Sequence, residues 1–185
     1  FVTAKVGERE LSFTVSQPGM HWVSNALAVI AAVDAAGGDL GLAGLALGEL
    51  GGLAGRGDRF TAAVKGGEAL VIDESYNANP ASMAATLEVL AHEPGRHVAV
   101  LGEMRELGAG SDAYHAALAG PLLAARVETA LLVGERMAPL AQALEGRVDF
   151  VHVPDAATAL DRLKQGIAPG DAVLVKGSNG VGLSR

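Results

Sequence analysis

The sequence predicts an α/β fold, built on a mainly parallel sheet with helices on both faces. From Phe60 onward, apolar runs of strand length alternate with segments that have the apolar spacing of helices. Strands that read as near-continuous apolar runs are typical of parallel sheets, which are buried on both sides. The earlier residues follow a different pattern, so we predict two parts, residues 1–57 and residues 58–185.

The first part is predicted to begin with a β-hairpin. Apolar and polar residues alternate on both sides of Gly7-Glu8, which supplies the turn. Helical spacing of apolar residues follows over residues 21–36 and again over residues 40–50. The glycines within residues 51–57 then indicate a hinge between the two parts.

Strands and helices alternate through the second part. The predicted strands cover residues 61–65, 69–73, 97–102, 129–134, 148–153 and 172–177. The predicted helices cover residues 80–92, 112–126, 136–144 and 155–165. Asn79 followed by Pro80 is a helix-start signal, and Ser111 is the predicted N-cap of the next helix.

Polar loops that contain glycine follow four of these strands. They cover residues 73–79, 102–108, 134–137 and 176–180. In an open parallel sheet the carboxyl ends of the strands meet at one edge, and ligands bind outside that edge. We therefore predict a site for a small anionic or zwitterionic ligand at this edge.

Composition argues against several classes of function. The chain has no cysteine, which excludes disulfides and thiolate chemistry, and we predict no metal site. The formal net charge is −7 and the Lys and Arg residues are scattered, so we expect no nucleic-acid partner. No apolar run approaches the ~20 residues of a membrane span, and the first residues lack the features of a signal peptide. We expect a cytoplasmic protein without a membrane span.

Two motifs allow both a binding and a structural interpretation. The run DESYNANP at residues 73–80 places two carboxylates, a tyrosine and two amides after a strand, which favours a ligand role for the run as a whole. Asn79 alone is equally well explained as an N-cap within an Asx turn. Lys176-Gly177-Ser178 can hold an anion with an ammonium and backbone N–H groups, or it can be a solvated loop.

Three further groups are ambiguous when they are taken one at a time. His21 and Asn25 share the first turn of a helix, where they either contact a ligand or flank the helix. Arg56 lies in the glycine-rich hinge, where it either clamps a phosphate or is solvated. The mixed-charge loop at residues 102–108 is typical of exposed loops. No P-loop sequence occurs, and no G-x-G-x-x-G follows the first strand of the second part, so we expect no nicotinamide cofactor.

The motifs occur together in an order that resembles the Mur ligase family. They are GMHWVSNALA at residues 19–28, GRG at 55–57, IDESYNANPASM at 72–83, VLGEMRELG at 100–108 and LVKGS at 174–178. The pair YNANP and GEMRELG is most similar to the members that add D-alanyl-D-alanine to UDP-N-acetylmuramoyl-tripeptide.

The resemblance implies a domain organisation. Residues 1–57 would be the C-terminal part of the family's central ATP-binding domain, and residues 58–185 its Rossmann-like C-terminal domain. We expect the family's P-loop and the ligands of Mg²⁺ to precede Phe1. The chain is therefore expected to be a fragment that is inactive alone, from a monomeric enzyme.

The resemblance also implies a reaction and the residues that carry it. ATP phosphorylates the tripeptide carboxylate, and the amine of D-alanyl-D-alanine then displaces phosphate from the acyl phosphate. Arg56 and Lys176 are the implied catalytic residues, since cations stabilise a transferring phosphoryl group. The implied ATP-binding residues are His21, Asn25, Arg56, Asp73, Tyr76, Asn77 and Asn79. The implied dipeptide-binding residues are Lys176, Ser178, Glu103 and Arg105. Glu74 receives no role, because many relatives have Asp there.

Two other functions stay open at this point. The first is a non-catalytic α/β module that binds a small ligand or a partner protein. The second is a family member that joins amino acids to folate or to cyanophycin, although the YNANP and GEMRELG motifs speak against it. A P-loop domain encoded ahead of this chain would distinguish the ligase from the module.

Overall fold

A computed structural model describes residues 1–51 and 54–184. The chain divides into two compact units, residues 1–52 and residues 53–185. We call them the first unit and the second unit. No helix among the described residues has the length and apolar character needed to cross a bilayer.

The first unit is a hairpin followed by two helices, as predicted. Its elements are β1 (Val2–Val6), β2 (Arg9–Phe13), α1 (Met20–Ala35) and α2 (Leu40–Glu49), and the two strands are antiparallel. The Asp39 carboxylate caps α2 by accepting hydrogen bonds from the N–H groups of Gly41 and Leu42. Phe13 and Ile30 are at the centre of a small apolar core.

The second unit contains a six-stranded sheet. Its strands are β3 (Asp58–Val64), β4 (Gly67–Glu74), β5 (His97–Gly102), β6 (Val127–Val133), β7 (Asp149–Val153) and β8 (Ala172–Lys176). Their spatial order is β3-β4-β8-β5-β6-β7. β3 and β4 form an antiparallel hairpin, and every other neighbouring pair is parallel. The predicted α/β class with a mainly parallel sheet is confirmed.

Helices cover both faces of this sheet. They are α3 (Pro80–Leu90), α4 (Ser111–Ala117), α5 (Ala119–Ala124), α6 (Ala138–Leu144) and α7 (Ala156–Gly166). Apolar residues of α3, α5 and α6 form one core with one face of the sheet. On the opposite face, α7 packs together with Val181 and Leu183 of the C-terminal segment.

Two predicted features of the fourth and fifth helices are wrong. The single helix predicted over residues 112–126 is broken at Leu118 into α4 and α5. Pro121 accounts for the break, because it has no N–H and its ring would clash with the carbonyl of Ala117. Ser111 is not the N-cap, since Gly110 holds that position. A 3₁₀ turn at residues 108–110 precedes the helix, so Ser111 already has helical dihedral angles.

The start of α3 and the end of β4 place several polar residues. The Asn79 side chain accepts a hydrogen bond from Ser82 N–H at 2.8 Å, and Ser82 Oγ accepts one from Asn79 N–H at 3.0 Å. This capping box confirms the predicted helix start at Pro80. β4 extends through Glu74, beyond the predicted end at Asp73, and Glu74 lies beside Lys176 of β8.

Candidate functional site at the carboxyl edge of the sheet

The carboxyl ends of four parallel strands meet at one edge of the second unit. β4, β8, β5 and β6 are consecutive neighbours in the sheet. The loops at residues 73–79, 176–180, 102–108 and 134–137 therefore follow one another along this edge. The sequence predicts that they share the edge, but not their order along it. We call this region the carboxyl edge.

Lys176 is at the centre of the carboxyl edge and is buried. Its ammonium donates a hydrogen bond to the Asn77 carbonyl oxygen at 2.9 Å and lies 3.6 Å from Oε2 of Glu74. The side chains of Lys176 and Glu74 are only 3% and 12% exposed. Lys176 thus connects the end of β8 to the turn that follows β4.

Burial opposes the charge on both members of this pair. Loss of hydration raises the pKa of the Glu74 carboxyl, although the positive charges of Lys176 and Arg56 counteract the shift. Loss of hydration also lowers the pKa of Lys176; the Glu74 carboxylate opposes that shift and Arg56 adds to it. Each residue stabilises the charged form of the other, so removal of either one leaves a buried charge without its counterion.

Glycine residues before β3 pack closely against the turn after β4. Gly57 N–H donates to the Asp73 carbonyl, and Tyr76 N–H donates to the Gly55 carbonyl, both at 3.0 Å. Gly55 has a φ of 71°, and a Cβ there would lie 2.9 Å from Tyr76 N. Only glycine fits this position. Between the two glycines, the Arg56 guanidinium carbon lies 3.9 Å from the centroid of the Tyr76 ring.

The polar side chains of residues 73–79, at the end of β4 and in the turn after it, bond mainly to local backbone groups. Asp73 Oδ1 accepts a hydrogen bond from Ser75 N–H at 2.9 Å, and Asn77 Oδ1 accepts one from Ala78 N–H at 2.9 Å. Asn79 caps α3. The Asx-turn and N-cap interpretation therefore describes the local geometry, which gives this turn a fixed conformation and leaves Tyr76 exposed on it.

The loop after β5 is fixed by three successive backbone N–H groups that bond to three different elements. Glu103 N–H donates to the Val133 carbonyl at 3.0 Å, and Met104 N–H donates to Nε2 of His115 at 2.9 Å. Arg105 N–H donates to Oγ of Ser178 at 2.9 Å. In return, Ser178 N–H donates to the Glu103 carbonyl at 3.2 Å. Ser178 is buried and thus connects the β8 and β5 loops.

The Arg105 side chain is the exposed cation of this loop. Its Nε lies 3.3 Å from Oε1 of Glu103, and the side chain is 50% exposed. Gly180 lies beside the guanidinium, since a Cβ at that position would be 2.0 Å from Nη1. Arg136 N–H approaches the other Glu103 oxygen at 3.4 Å. Glu103 and Arg105 therefore present adjacent opposite charges at the carboxyl edge.

Two glycines let the β5 and β8 loops approach closely. A Cβ on Gly177 would lie 3.0 Å from Cα of Gly102 and 2.8 Å from Cδ1 of Leu183. These close backbone contacts keep Arg105 and Ser178 within hydrogen-bonding distance of each other.

The two predicted site residues of the first unit lie together on α1. His21 is half-buried, Asn25 is exposed, and they are one helical turn apart in the first half of the helix. The His21 ring lies 5.7 Å from the ring of Trp22. The predicted residues of the second unit are brought together at the carboxyl edge: Arg56, Asp73, Tyr76, Asn77, Asn79, Glu103, Arg105, Lys176 and Ser178.

Sequence reasoning gave no role to two residues that shape the carboxyl edge. Glu74 is the ion-pair partner of Lys176, but the sequence order does not show that β4 lies beside β8. His115 fixes the loop after β5, and its one sequence signal is the helical spacing of four residues from Ser111. Among the described residues, no three His, Asp or Glu side chains are grouped closely enough to hold a metal ion.

Comparison with protein families decides the classification. Residues 56–179 match the model of the Mur ligase, glutamate ligase domain. This match covers well over half of the chain. The chain belongs to the Mur ligase family. The resemblance that its motifs carry is therefore confirmed, and the carboxyl edge belongs to a Mur ligase domain.

Individual Mur ligases are similar to this chain over about a third of their length. The UDP-N-acetylmuramoyl-tripeptide–D-alanyl-D-alanine ligase of Escherichia coli K12 is 37% identical over 163 residues, which are 87% of this chain and 35% of that protein. A crystal structure of MurF from Acinetobacter baumannii has a TM-score of 0.80 at 28% identity, covering 97% of this chain and 39% of that one.

A third relative supports the fold of this Mur ligase chain. MurF from Thermotoga maritima, whose structure was determined in complex with ADP, has a TM-score of 0.71 at 23% identity. The match covers 93% of this chain and 38% of that one.

Proposed function

We propose that this chain is the C-terminal part of an ATP-dependent ligase that joins D-alanyl-D-alanine to UDP-N-acetylmuramoyl-tripeptide. The proposal rests on family membership and on the 37% identity to the E. coli ligase of that name. One structural observation carries the assignment of the dipeptide to this chain, namely the paired opposite charges of Glu103 and Arg105 at the carboxyl edge.

A dipeptide is a zwitterion, so its site needs one partner for a carboxylate and one for an ammonium. Arg105 is exposed and has the planar guanidinium that binds carboxylates with two hydrogen bonds. Glu103 lies beside it with its side chain 14% exposed, and its oxygens face Arg105 Nε and Arg136 N–H. In this proposal the same carboxylate also accepts the ammonium of the dipeptide. Ser178 fixes the backbone of Arg105 and so contributes through the loop.

Lys176 acts from within the protein in this proposal. Its ammonium is directed to the Asn77 carbonyl and to Glu74, and its side chain is 3% exposed. It therefore fixes the turn that carries Tyr76 and Asn77. Because Glu74 balances its charge within the protein, we assign Lys176 an indirect catalytic role, which is to hold this turn in place for the phosphoryl and carboxylate groups.

The proposed reaction has two steps. The terminal carboxylate of the tripeptide attacks the γ-phosphorus of ATP, which releases ADP and leaves an acyl phosphate. The neutral amine of the dipeptide then attacks the acyl carbon, the C–O bond to phosphate breaks, and the amine loses a proton. Arg56 is exposed and stacks on Tyr76, and we assign it to charge stabilisation on the phosphoryl group.

ADP is bound in the T. maritima relative, and we extend nucleotide binding to this family member. In the second unit we assign ATP contacts to the turn after β4, with Asp73, Tyr76, Asn77 and Asn79. In the first unit we propose His21 and Asn25 of α1 as nucleotide contacts. The proposed reaction also uses Mg²⁺, and we propose that residues of the ligase outside this chain hold it.

The wider assignments follow from the same proposal. We assign residues 1–57 to the end of the central ATP-binding domain and residues 58–185 to the C-terminal domain. We propose a cytoplasmic enzyme, because its substrates are soluble nucleotide-linked and peptide precursors, and we propose that it acts as a monomer.

The proposal is tested by phosphate release from the ligase in which this chain is preceded by the remaining domains. ATP, Mg²⁺, UDP-N-acetylmuramoyl-tripeptide and D-alanyl-D-alanine are supplied together, and each is omitted in turn. We expect release that requires both the tripeptide and the dipeptide. The 185-residue chain alone is the matched control and is expected to release no phosphate.

Two results would overturn the proposal. Release that continues without the dipeptide would assign the chain to another ligase of the family. Absence of release from the complete protein, with its domains folded, would favour a non-catalytic binding module.

A further inference from the structure

His115 is a buried, hydrogen-bonded side chain that has no part in the proposed reaction. It lies in α4, and its residue is 0% exposed. Its Nδ1 donates to the Ser111 carbonyl at 2.7 Å, and its Nε2 accepts from Met104 N–H at 2.9 Å. Both ring nitrogens are therefore used, Nδ1 as a donor and Nε2 as an acceptor.

The position of Met104 gives this contact its importance. Met104 lies between Glu103 and Arg105, and its own side chain is buried in the core. Its N–H is the middle one of the three that fix this loop, and the other two bond to Val133 and Ser178. His115 is therefore the link through which α4 fixes the two charged residues.

We propose that His115 is a positioning residue for the dipeptide site. It holds the Met104 amide so that Glu103 and Arg105 face the ligand with a fixed spacing. The inference rests on the proposed function, because it assumes that these two residues contact D-alanyl-D-alanine. One half of the inference, that His115 fixes the conformation of the loop, does not depend on the substrate. We call it the structural half.

Two substitutions at position 115 differ in whether the new side chain can accept the hydrogen bond from Met104 N–H. Leucine has a similar volume to histidine but cannot accept the Met104 N–H, which would then be buried without a partner. Glutamine places an amide oxygen about as far from the backbone as Nε2 and can accept it. The pair His115→Leu and His115→Gln therefore separates the hydrogen bond from simple filling of space.

The first measurement is amide hydrogen exchange in the 185-residue chain. We expect His115→Leu to speed exchange at Met104 and Arg105 by about tenfold or more relative to Val100 in β5, and His115→Gln to restore most of the protection. Leu90→Ala is the matched control, because it removes fully buried volume at the far end of α3. It is expected to speed exchange at Met104, Arg105 and Val100 by about the same factor. Uniform acceleration in His115→Leu as well would contradict the structural half.

The second measurement is steady-state kinetics of the complete ligase. We expect His115→Leu to raise the KM for D-alanyl-D-alanine about tenfold, to leave the KM for ATP within about twofold, and to be rescued by glutamine. Equal changes in both constants, or an unchanged dipeptide KM, would overturn the inference. If the wild-type ligase shows no dipeptide-dependent release, the proposed function fails, and the positioning of a dipeptide fails with it. The rate of hydrogen exchange at Met104 in the His115 variants then still tests whether His115 fixes the loop.

Discussion

Lys176 and Glu74 form a buried ion pair between the ends of two adjacent parallel strands. The Nζ–Oε2 distance is 3.6 Å, and the Lys176 ammonium also donates to the Asn77 carbonyl at 2.9 Å. The two strands are far apart in sequence, and this pair joins them at the carboxyl edge. Its energetic role follows from the burial of both groups.

Replacement of Lys176 by methionine is expected to destabilise the chain by about 3 kcal/mol, because it leaves the Glu74 carboxylate buried without a counterion. The double variant Lys176→Met/Glu74→Gln removes both charges and should recover at least half of this loss. Urea unfolding followed by circular dichroism measures the free energy of unfolding of the two single variants, Lys176→Met and Glu74→Gln, and of the double variant. A double variant as unstable as the sum of the two single variants would show that the two charges are not coupled.

The pair Arg96–Asp171 predicts a dependence of stability on pH. Burial alone would raise the pKa of Asp171, but hydrogen bonds from Arg96 and from Ala168 N–H outweigh it and hold the pKa below its ordinary value of 3.8. As the pH falls from about 4 towards the lowered pKa of the folded state, the unfolded chain binds more protons than the folded chain. The free energy of unfolding therefore decreases over this range of pH.

We expect Asp171→Asn to lose about 2 kcal/mol at pH 7, because the buried carboxylate accepts hydrogen bonds from a charged donor. The difference from the wild type should persist to pH 5 and narrow below about pH 4, where the Asp171 carboxyl of the unfolded chain becomes protonated while that of the folded chain stays ionised. Urea unfolding at pH 7, 5 and 3 measures it. Asp161→Asn, at an exposed position of α7, is the control and should change little. A gap of equal size at pH 3 and pH 7 would contradict the assignment.

Gly180 gives a variant that moves Arg105 without unfolding the chain. An alanine Cβ there would lie 2.0 Å from the Arg105 guanidinium, which is the flexible end of an exposed side chain and can move away. Stability should change by no more than about 0.5 kcal/mol. In the complete ligase, the KM for D-alanyl-D-alanine should rise several-fold, and the KM for ATP should not.

The matched control for this variant is Gly120→Ala in α5, where a Cβ would meet nothing within 4 Å. Gly120→Ala should leave both constants unchanged and slightly stabilise the helix. An unchanged dipeptide KM in Gly180→Ala would show that Arg105 is not part of the proposed dipeptide site.

The stacking of Arg56 on Tyr76 predicts a measurable coupling between two exposed residues. The guanidinium carbon lies 3.9 Å from the ring centroid, within the range of a cation–π interaction. A double-mutant cycle of Arg56→Gln and Tyr76→Leu is expected to give a coupling of about 0.5–1 kcal/mol in the stability of the chain. A coupling of zero would mean that Arg56 points elsewhere in solution.

Much of the fold was predictable because its signals are local. Strands buried on both sides read as apolar runs, and Asn79-Pro80 marks a helix start whatever surrounds it. The break in the helix at Leu118 was missed because apolar spacing continues through it, although Pro121 carries the steric reason. The N-cap was wrongly placed at Ser111 because capping preferences do not reveal the 3₁₀ turn that precedes the helix.

The carboxyl edge was predictable as a location but not in its contacts. Strand polarity places four loops together, and this requires only the order of elements along the chain. The neighbours of Lys176 depend on β8 lying between β4 and β5, which is long-range information. The same applies to His115, whose partner Met104 is in a loop that no periodic pattern describes.

The most direct test of the account is the KM for D-alanyl-D-alanine of the complete ligase with Arg105→Gln. Loss of a charged hydrogen-bond donor to the dipeptide carboxylate should raise this KM by about ten- to a hundredfold, and the KM for ATP should stay within about twofold. Arg162→Gln, on the exposed side of α7, is the control and should change neither constant. A dipeptide KM that does not change in Arg105→Gln would contradict the claim that the carboxyl edge binds the dipeptide.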